Sequence, residues 1–418
     1  MSKTLRIGLL GLGVVGGGVV QVLAKEKEKL QKQTGVAISI DKVLVRPGED
    51  KSALAKKYGF VLTTDFEDIV TDTNLDIIIE LIGKVHPAKE FIEKALQNGK
   101  HVVTANKDLI AQHGVALNQL AKENRVSLFY EASVAGGIPI LRTLTNNYLA
   151  DEITDVMGIV NGTTNYMLTK MFENQLSYQI ALEQAQALGF AESDPTNDVD
   201  GIDAAYKMVI LAQFAYGMDV SMSDLEIEGI RSLTKTDVQA AQALGYEIKL
   251  IGRAKKYGQG IAVSVGPTLV DKYHPIASIK NEFNGIFIES SGIHQSMFYG
   301  PGAGALPTAT SVLSDVVAIA KNKYLGIEPP LFNHFKVDTT LASDLEQIDS
   351  YYIALKVNDL AKVQAIFTEQ AINIKKEHQQ SDGWFVICEP IAKATLKELT
   401  PKLSTYAKIE RVMKVIGE

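Results

Sequence analysis

The chain has 418 residues, enough for two or three domains and a sizeable core, with 46% hydrophobic and 22% charged residues, the balance of a soluble protein. A formal net charge of −7 argues against a nucleic-acid surface, and the single cysteine excludes an internal disulfide framework. No apolar run is long enough to span a bilayer, and the first residues lack a signal-peptide layout, so a cytoplasmic protein without a membrane partner is expected.

Residues 5–10 read as a buried strand and run directly into Gly11-Leu12-Gly13-Val14-Val15-Gly16, which opens a helix expected through about Lys32. A G-x-G-x-x-G in that setting is a dinucleotide-binding arrangement. Gly11 permits the tight turn, Gly13 lets the backbone approach a pyrophosphate, Gly16 lets helix and strand pack closely, and the helix N–H groups face the phosphates. A glycine-rich turn without a ligand is the alternative. The second strand, about 37–45, ends in Arg46-Pro47, where an NAD-specific fold carries an acid for the ribose hydroxyl. A cation there suits a 2′-phosphate, so NADP is favoured and NAD stays open, although Arg46 also reads as a plain surface arginine.

Strands expected at 75–83 and 100–105 flank a helix at about 87–97, and this alternation predicts a doubly wound parallel sheet. Asn106-Lys107 falls just past a strand's carboxyl end, the edge where ligands bind in such sheets. Position alone leaves Lys107 open between a ligand contact and a solvated side chain. Residues 126–130 close this half. The small-residue crossover 131–139 follows, where backbone carbonyls with Glu131 could hold a cation, although the sequence favours a simple hinge.

From about Ile138 the pattern changes to helices at 140–149, 163–172, 178–188 and 201–216 around a strand at 156–160, with antiparallel strands at 248–253 and 261–265, an α+β substrate domain. The helix from Gly201 carries Asp203 and Lys207 one turn apart on one face. A surface ion pair is the bland reading, but Ile202, Ala205, Tyr206, Met208 to Ala212 and Phe214 leave this helix apolar nearly all round, as a buried helix is. Burying the pair without partners is costly, so the two are expected at the wetter end, lining a cleft with Glu192 nearby. The loop before it matches a calcium-binding pattern in part, yet Thr196 stands at the first ligand place and Lys207 at the twelfth, where a bidentate Glu is required.

A glycine-rich run at 299–308 precedes an apolar helix to about Ile319, and polar sequence at 328–349 reads as a linker. The remaining residues order as strand 351–357, helix 361–370, strands 372–377 and 383–388, helix 392–403 and strand 409–412, the β-α-β-β-α-β of a ferredoxin-like split unit. Cys388 sits in the apolar run 384–388 as a core residue, and seven scattered histidines suggest no zinc site.

Five motifs in order (G-L-G-V-V-G at 11–16, T-A-N-K at 104–107, N-G-T-T-N-Y at 161–166, G-F-A-E-S-D-P-T-N-D-V-D-G-I-D-A-A-Y-K at 189–207, and G-P-G-A-G at 300–304) resemble homoserine dehydrogenases over residues 5–325. The resemblance implies reversible NAD(P)H-dependent reduction of L-aspartate 4-semialdehyde to L-homoserine, on the route to threonine, methionine and isoleucine. It implies Lys207 as catalytic proton donor, Asp203 and Glu192 as substrate-binding carboxylates, and Lys107 at the junction of cofactor and substrate. Cofactor contacts would come from Gly11, Gly13, Val14, Val15, Gly16, Arg46, Thr104, Lys107, Gly189, Gly302 and Gly304, and a monovalent cation such as Na+ would sit with Glu131 and the carbonyls of Val134, Gly136 and Ile138. Tyr206 departs from the arginine that commonly precedes the catalytic lysine.

The implied organisation is an N-terminal Rossmann-type domain, 1–137, completed by a returning helix at about 302–325, then a substrate and dimerisation domain, 138–301, a linker, 326–348, and a ferredoxin-like unit resembling an ACT domain, 349–418. A homodimer or homotetramer is implied. The first strand-to-helix loop of that unit is Asp359-Leu360-Ala361-Lys362-Val363, without the Pro and Gly of the ACT pattern, so a structural or oligomeric role with weak threonine inhibition is expected. The alternatives are another NAD(P)-dependent amino-acid dehydrogenase, such as one acting on aspartate, and a nucleotide-sensing regulatory protein. Intact Glu192, Asp203 and Lys207 argue against a dead site.

Overall fold

Branched apolar runs that are buried on both faces build the first sheet. In the computed structural model, which describes residues 4–335, 340–381 and 383–417, these runs become β1 (Thr4–Leu10), β2 (Ala37–Leu44), β3 (Val61–Thr63), β4 (Ile77–Glu80), β5 (His101–Thr104) and β6 (Leu128–Phe129). Residues 336–339 of the expected linker lie outside the described residues. Ile7, Leu9, Ile77, Ile78, Ile79, Val102 and Val103 are fully buried, each stabilising the fold by roughly 1.5–3 kcal/mol relative to exposure. All pairings are parallel and the order is β3-β2-β1-β4-β5-β6. The expected doubly wound sheet is therefore present, and its order reverses between β1 and β4, where a ligand crevice forms beside the Gly11 turn. Crossovers include α1 (Val14–Thr34), α2 (Ser52–Tyr58), α3 (Glu67–Val70), α4 (Ala88–Gln97) and α5 (Lys107–Glu123).

The chain divides into two compact units, the first comprising Met1–Glu152, Val209–Met222 and Gly300–Val337, the second Ile153–Met208, Ser223–Tyr299 and Asp338–Glu418. In the first unit, segments distant in sequence meet at an aromatic cluster: Tyr130 lies edge-on to Phe214 and Phe332, with ring centroids 5.7 and 5.0 Å apart. Arg142 spreads its guanidinium over Phe129 and Phe332, 5.2 Å from each centroid, and pairs with the fully buried Asp315 of the helix Ala305–Leu325. Glu131 N–H also donates to Asp315 at 2.9 Å.

The second unit is built on a mixed sheet. Its strands are β7 (Ile153–Ile159), β8 (Glu226–Ile227), β9 (Tyr246–Tyr257), β10 (Gly260–Asp271), β11 (Phe283–Ser290), β12 (His294–Pro301), and then, after β13 (Ile348–Asp349), β14 (Tyr351–Val357), β15 (Ile374–Gln380), β16 (Gly383–Cys388) and β18 (Ala407–Ile416). β17 (Ile391–Ala392) pairs only with β13. The order is β12-β11-β7-β9-β10-β18-β14-β16-β15, with β8 beside β10. The C-terminal strands thus run β18-β14-β16-β15, the sheet order of a β-α-β-β-α-β split unit, around a core that includes Phe367, Trp384, Val386 and Cys388.

The hairpin expected at 248–253 and 261–265 extends over twelve residues on each side, and β18 runs past 412 because Thr268 to Val270 of β10 pair in parallel with Lys414 to Ile416. β11, β12 and the helix Lys235–Leu244 were not anticipated. Thr234 and Asp237 form a reciprocal capping box at the start of that helix, a signature present in the sequence. Residues 340–349 of the stretch expected as linker are held against the sheet. Leu341 bridges to Ile261, and Asp349 accepts from Arg253 at 3.3 Å, Lys255 at 3.1 Å and Tyr257 at 2.5 Å. Arg253 also holds Asp155 through Nε at 2.8 Å.

Burial pushes the Asp315 carboxyl up to about 7, against the pull of Arg142 and with Glu131 adding to the rise. Folded Asp315 therefore binds a proton more tightly than unfolded Asp315, so its contribution to stability falls as pH rises from about 4 to about 7 and is level above that. Replacing Asp315→Asn should remove this component. The difference in Tm between variant and parent is expected to shift in the variant's favour from pH 5 to pH 7, and a constant difference across that range would contradict the assignment.

Candidate functional site

The turn after β1 is set by sterics. Gly11 has φ +94°, and a Cβ there would press on the Leu81 carbonyl oxygen at 2.8 Å. A Cβ at Gly16 would collide with the carbonyl oxygen of Gly11, which lets α1 start directly against β1. Gly13, the N-cap of α1, is different, because a Cβ there would meet no protein atom within 4 Å. It would project into the space above the helix N-terminus, where no acidic side chain occupies the first turn. Unopposed N–H groups at a helix start are a phosphate site.

The adjoining cleft of about 500 Å³ is lined by Gly11, Gly13, Val45, Arg46, Ile82 and Lys84 among others. The Arg46 side chain is 90% exposed and only 3.8 Å from Glu49, which Lys51 approaches more closely at 3.2 Å. These residues fit a dinucleotide, with Arg46 available to a 2′-phosphate. Val14 is exposed at the loop and Val15 partly so.

At the ends of β4 and β5 a fully buried Glu80 accepts Ile82 N–H at 2.7 Å, Gly83 N–H at 3.1 Å and the Thr104 hydroxyl at 2.6 Å. The Thr104 hydroxyl also accepts Asn106 N–H at 3.0 Å. That hydroxyl is thus engaged inside the protein, shaping the turn into α5. Glu80 was missed by sequence reasoning, since an acid ending an apolar strand carries no marker of its hydrogen bonds. Asn106 caps α5, and Lys107 at the helix start is partly exposed with Asp108 3.5 Å away.

The second unit assembles a tighter cluster. Lys207 Nζ donates to Asp203 Oδ2 at 2.7 Å and to the Val160 carbonyl at 2.6 Å, with both side chains 13% exposed. Asn161, just after β7, donates to the same Asp203 oxygen at 2.8 Å and to Asp198 Oδ1 at 2.7 Å. Thr163 ties its hydroxyl to the Phe190 carbonyl at 2.6 Å. Burial holds the Asp198 carboxyl above its usual range and Asp203 adds to this, while the Asn161 hydrogen bond opposes it.

Asp198 and Asn161 were given no role from the sequence, although each lies in a quoted motif, N-G-T-T-N-Y at 161–166 and the stretch at 189–207. Glu192 stands exposed outside this hydrogen-bonded set, its own carbonyl accepting from Gln186 at 3.0 Å. Tyr206 is partly buried. Arg231 pairs with Asp200 and donates to Thr196 at 2.9 Å, closing the acidic loop.

The groups expected to hold a cation are engaged within the first unit. Glu131 is 1% exposed and its two oxygens accept Leu141 and Arg142 N–H, each at 2.8 Å, capping the helix Leu141–Asn147. The Gly136 carbonyl accepts the Ser311 hydroxyl at 2.7 Å. Val134 and Ile138 are buried beside them. Gly136 has φ +50°, and a Cβ on it would strike the Gly302 carbonyl, so Gly302 serves a close backbone crossing. Gly304 caps the helix Ala305–Leu325 with φ +126°, and Gly189 ends the helix region before the acidic loop with φ +77°. Among the described residues no three His, Cys, Asp or Glu gather to hold a metal, and no helix is long and apolar enough to cross a membrane.

Two family models match the chain, "Homoserine dehydrogenase, NAD binding domain" over residues 11–131 and "Homoserine dehydrogenase" over 139–317. The homoserine dehydrogenase of Lactococcus lactis is 44% identical over 99% of this chain and 100% of its own length, and that of Bacillus subtilis is 45% identical over 90% and 87%. A homoserine dehydrogenase structure from Thiobacillus denitrificans superposes with TM-score 0.93 at 34% identity, covering 99% of each chain. A hyperthermophilic archaeal homoserine dehydrogenase in complex with NADPH matches with TM-score 0.65 at 27% identity over 78% of this chain and 99% of its own.

The two glycines of the loop separate binding from folding. Gly13→Ala should leave Tm unchanged while weakening NADPH binding by tenfold or more in a fluorescence titration, because the methyl fills only the phosphate space. Gly16→Ala should lower Tm, because backbone must move. Equal cofactor affinity in Gly13→Ala and the parent would remove the phosphate site from this loop.

Proposed function

The chain belongs to the homoserine dehydrogenase family of oxidoreductases of amino-acid biosynthesis, and from that premise we propose that it reduces L-aspartate 4-semialdehyde to L-homoserine with NADPH, with Lys207 as the proton donor. The observation that carries this is the Lys207 side chain held between the Asp203 carboxylate and the Val160 carbonyl at one end of a buried helix. The cofactor supplies a hydride to the aldehyde carbon when bound.

As the carbon accepts the hydride, the carbonyl electron pair moves to oxygen, and Lys207 delivers a proton there, stabilising the developing charge as it transfers. Homoserine oxidation runs the same proton back to the lysine amine. Asp203, shared by Lys207 and Asn161, orients the lysine. Asp198 and Glu192 are the carboxylates left to receive the substrate's ammonium. The exposed Arg46 guanidinium supports a preference for the 2′-phosphate of NADPH.

The C-terminal β-α-β-β-α-β unit supports an ACT-like reading with a structural role. Asp359 spends its carboxylate on Lys362 N–H at 3.2 Å as the helix cap, in a loop without Gly or Pro. Threonine should inhibit weakly, and strong competitive loss of activity in submillimolar threonine would overturn that role.

One assay tests the chemistry: NADPH consumption with aspartate semialdehyde, repeated with NADH. Lys207→Ala should reduce kcat by about 10²–10⁴-fold, the range of general acid catalysis, and leave NADPH binding nearly intact. Near-normal turnover in that variant sinks the assignment, and equal kcat/KM for NADH and NADPH would remove Arg46 from cofactor selection.

A further inference from the structure

We propose that Asn161 is a positioning residue for the reaction: its side-chain amide bridges Asp198 and Asp203 and thereby fixes the carboxylate that aims Lys207. The inference rests on the reading of Lys207 as proton donor. An asparagine amide has two N–H donors and an oxygen that accepts two hydrogen bonds. All four are used here in a side chain only 5% exposed. Nδ2 donates at 2.7 Å to Asp198 and at 2.8 Å to the Asp203 oxygen that also receives Lys207, while Oδ1 accepts Thr164 N–H at 2.9 Å and its hydroxyl at 2.8 Å. Turning the amide over would set its oxygen against two carboxylates and its N–H groups against a donor, so the network allows one orientation.

The segment carrying Asn161 is itself immobilised. Asn284 donates to the Ile159 carbonyl at 2.9 Å, and a Cβ on Gly162 would stand 2.6 Å from the Glu282 carbonyl oxygen. Consecutive residues therefore supply the acceptor for Lys207, the Val160 carbonyl, and the donor for its carboxylate partner. Two like charges drawn toward one amide repel once that amide is gone. The charged groups facing this point are Asp198 on the helix Thr196–Val199, and Asp203 and Lys207 on the helix Ile202–Tyr216, while neighbouring Asp200 is taken up by Arg231.

Asn161 also caps the helix Gly162–Glu173, and substitution separates that duty from the bridge. Asp and Ser are equally good caps, but Asp offers no donor and Ser offers one on a shorter arm. Asn161→Asp should keep Tm close to the parent and keep NADPH affinity by fluorescence titration, yet lower kcat by about 100-fold, the scale of a misplaced catalytic group. The acid limb of its kcat profile should move to higher pH, because a carboxylate that has lost a donor and gained a like charge holds its proton more tightly. Asn161→Ser should show the same changes, smaller in size.

Parental kcat and an unmoved acid limb in Asn161→Asp would overturn the proposal. So would loss of the folded state in both variants, which keep the cap, because the amide bridge would then be a folding contact and not a positioning one. Lys207→Ala distinguishes the two readings. If it is inactive while Asn161→Asp is normal, only the bridge fails. If it is active, the proton-donor reading fails.

Discussion

The ion pair between Asp203 and Lys207 stands in a helix that is otherwise largely buried. Ala204, Ala205 and every residue from Met208 to Ala212 are at most 2% exposed. Removing two ions from water costs several kcal/mol each, which their mutual attraction offsets only when the remaining donors and acceptors are satisfied. Here that satisfaction comes from outside the helix, from the Val160 carbonyl and the Asn161 amide at the end of β7. The strand, the turn behind it and the acidic loop are therefore fixed in relation to one helical turn. Gly162 in that turn, where a Cβ would stand 2.6 Å from the Glu282 carbonyl oxygen, records how little latitude remains.

A second polar group inside the same unit follows the same rule. Arg253, 11% exposed, is met by Asp155 on one side and Asp349 on the other, both 3% exposed. Asp349 in turn takes Lys255 and Tyr257, so β13 is bound to the β9–β10 hairpin by charge as well as by chain. Leaving Arg253, Asp155 or Asp349 unpaired would strand a buried charge, a loss of about 3–5 kcal/mol. In the first unit the Arg142 guanidinium pairs with Asp315 while backbone N–H groups hold Glu131, and burial, with Glu131 adding to it, raises the Asp315 carboxyl.

Features governed by local rules were legible in the sequence. The glycine loop, the near-continuous apolar strands and the helical spacing of Asp203 and Lys207 each follow from neighbours a few residues apart. So did the order of elements after residue 350, where each has its own periodicity. What escaped was tertiary. Asp198 meets Asn161 across 37 residues, and Glu80 meets Thr104 across 24. Strand β3 is three residues long, too short to show a period, and β12 alternates in burial but carries Met297 and Tyr299 at exposed positions, so its sequence hides the alternation.

The parallel pairing of Thr268 to Val270 with Lys414 to Ile416 places β18, late in the chain, in the interior of the sheet, between β10 and β14. During synthesis the sheet cannot close until residue 416 has left the ribosome. Until then part of β10 presents unpaired backbone groups, an invitation to pair with another nascent chain. Contacts joining residues nearly 150 apart carry a large loop-closure entropy, so this seam belongs to the slow, late part of folding. Expression yield at elevated temperature is where that exposure would be felt first.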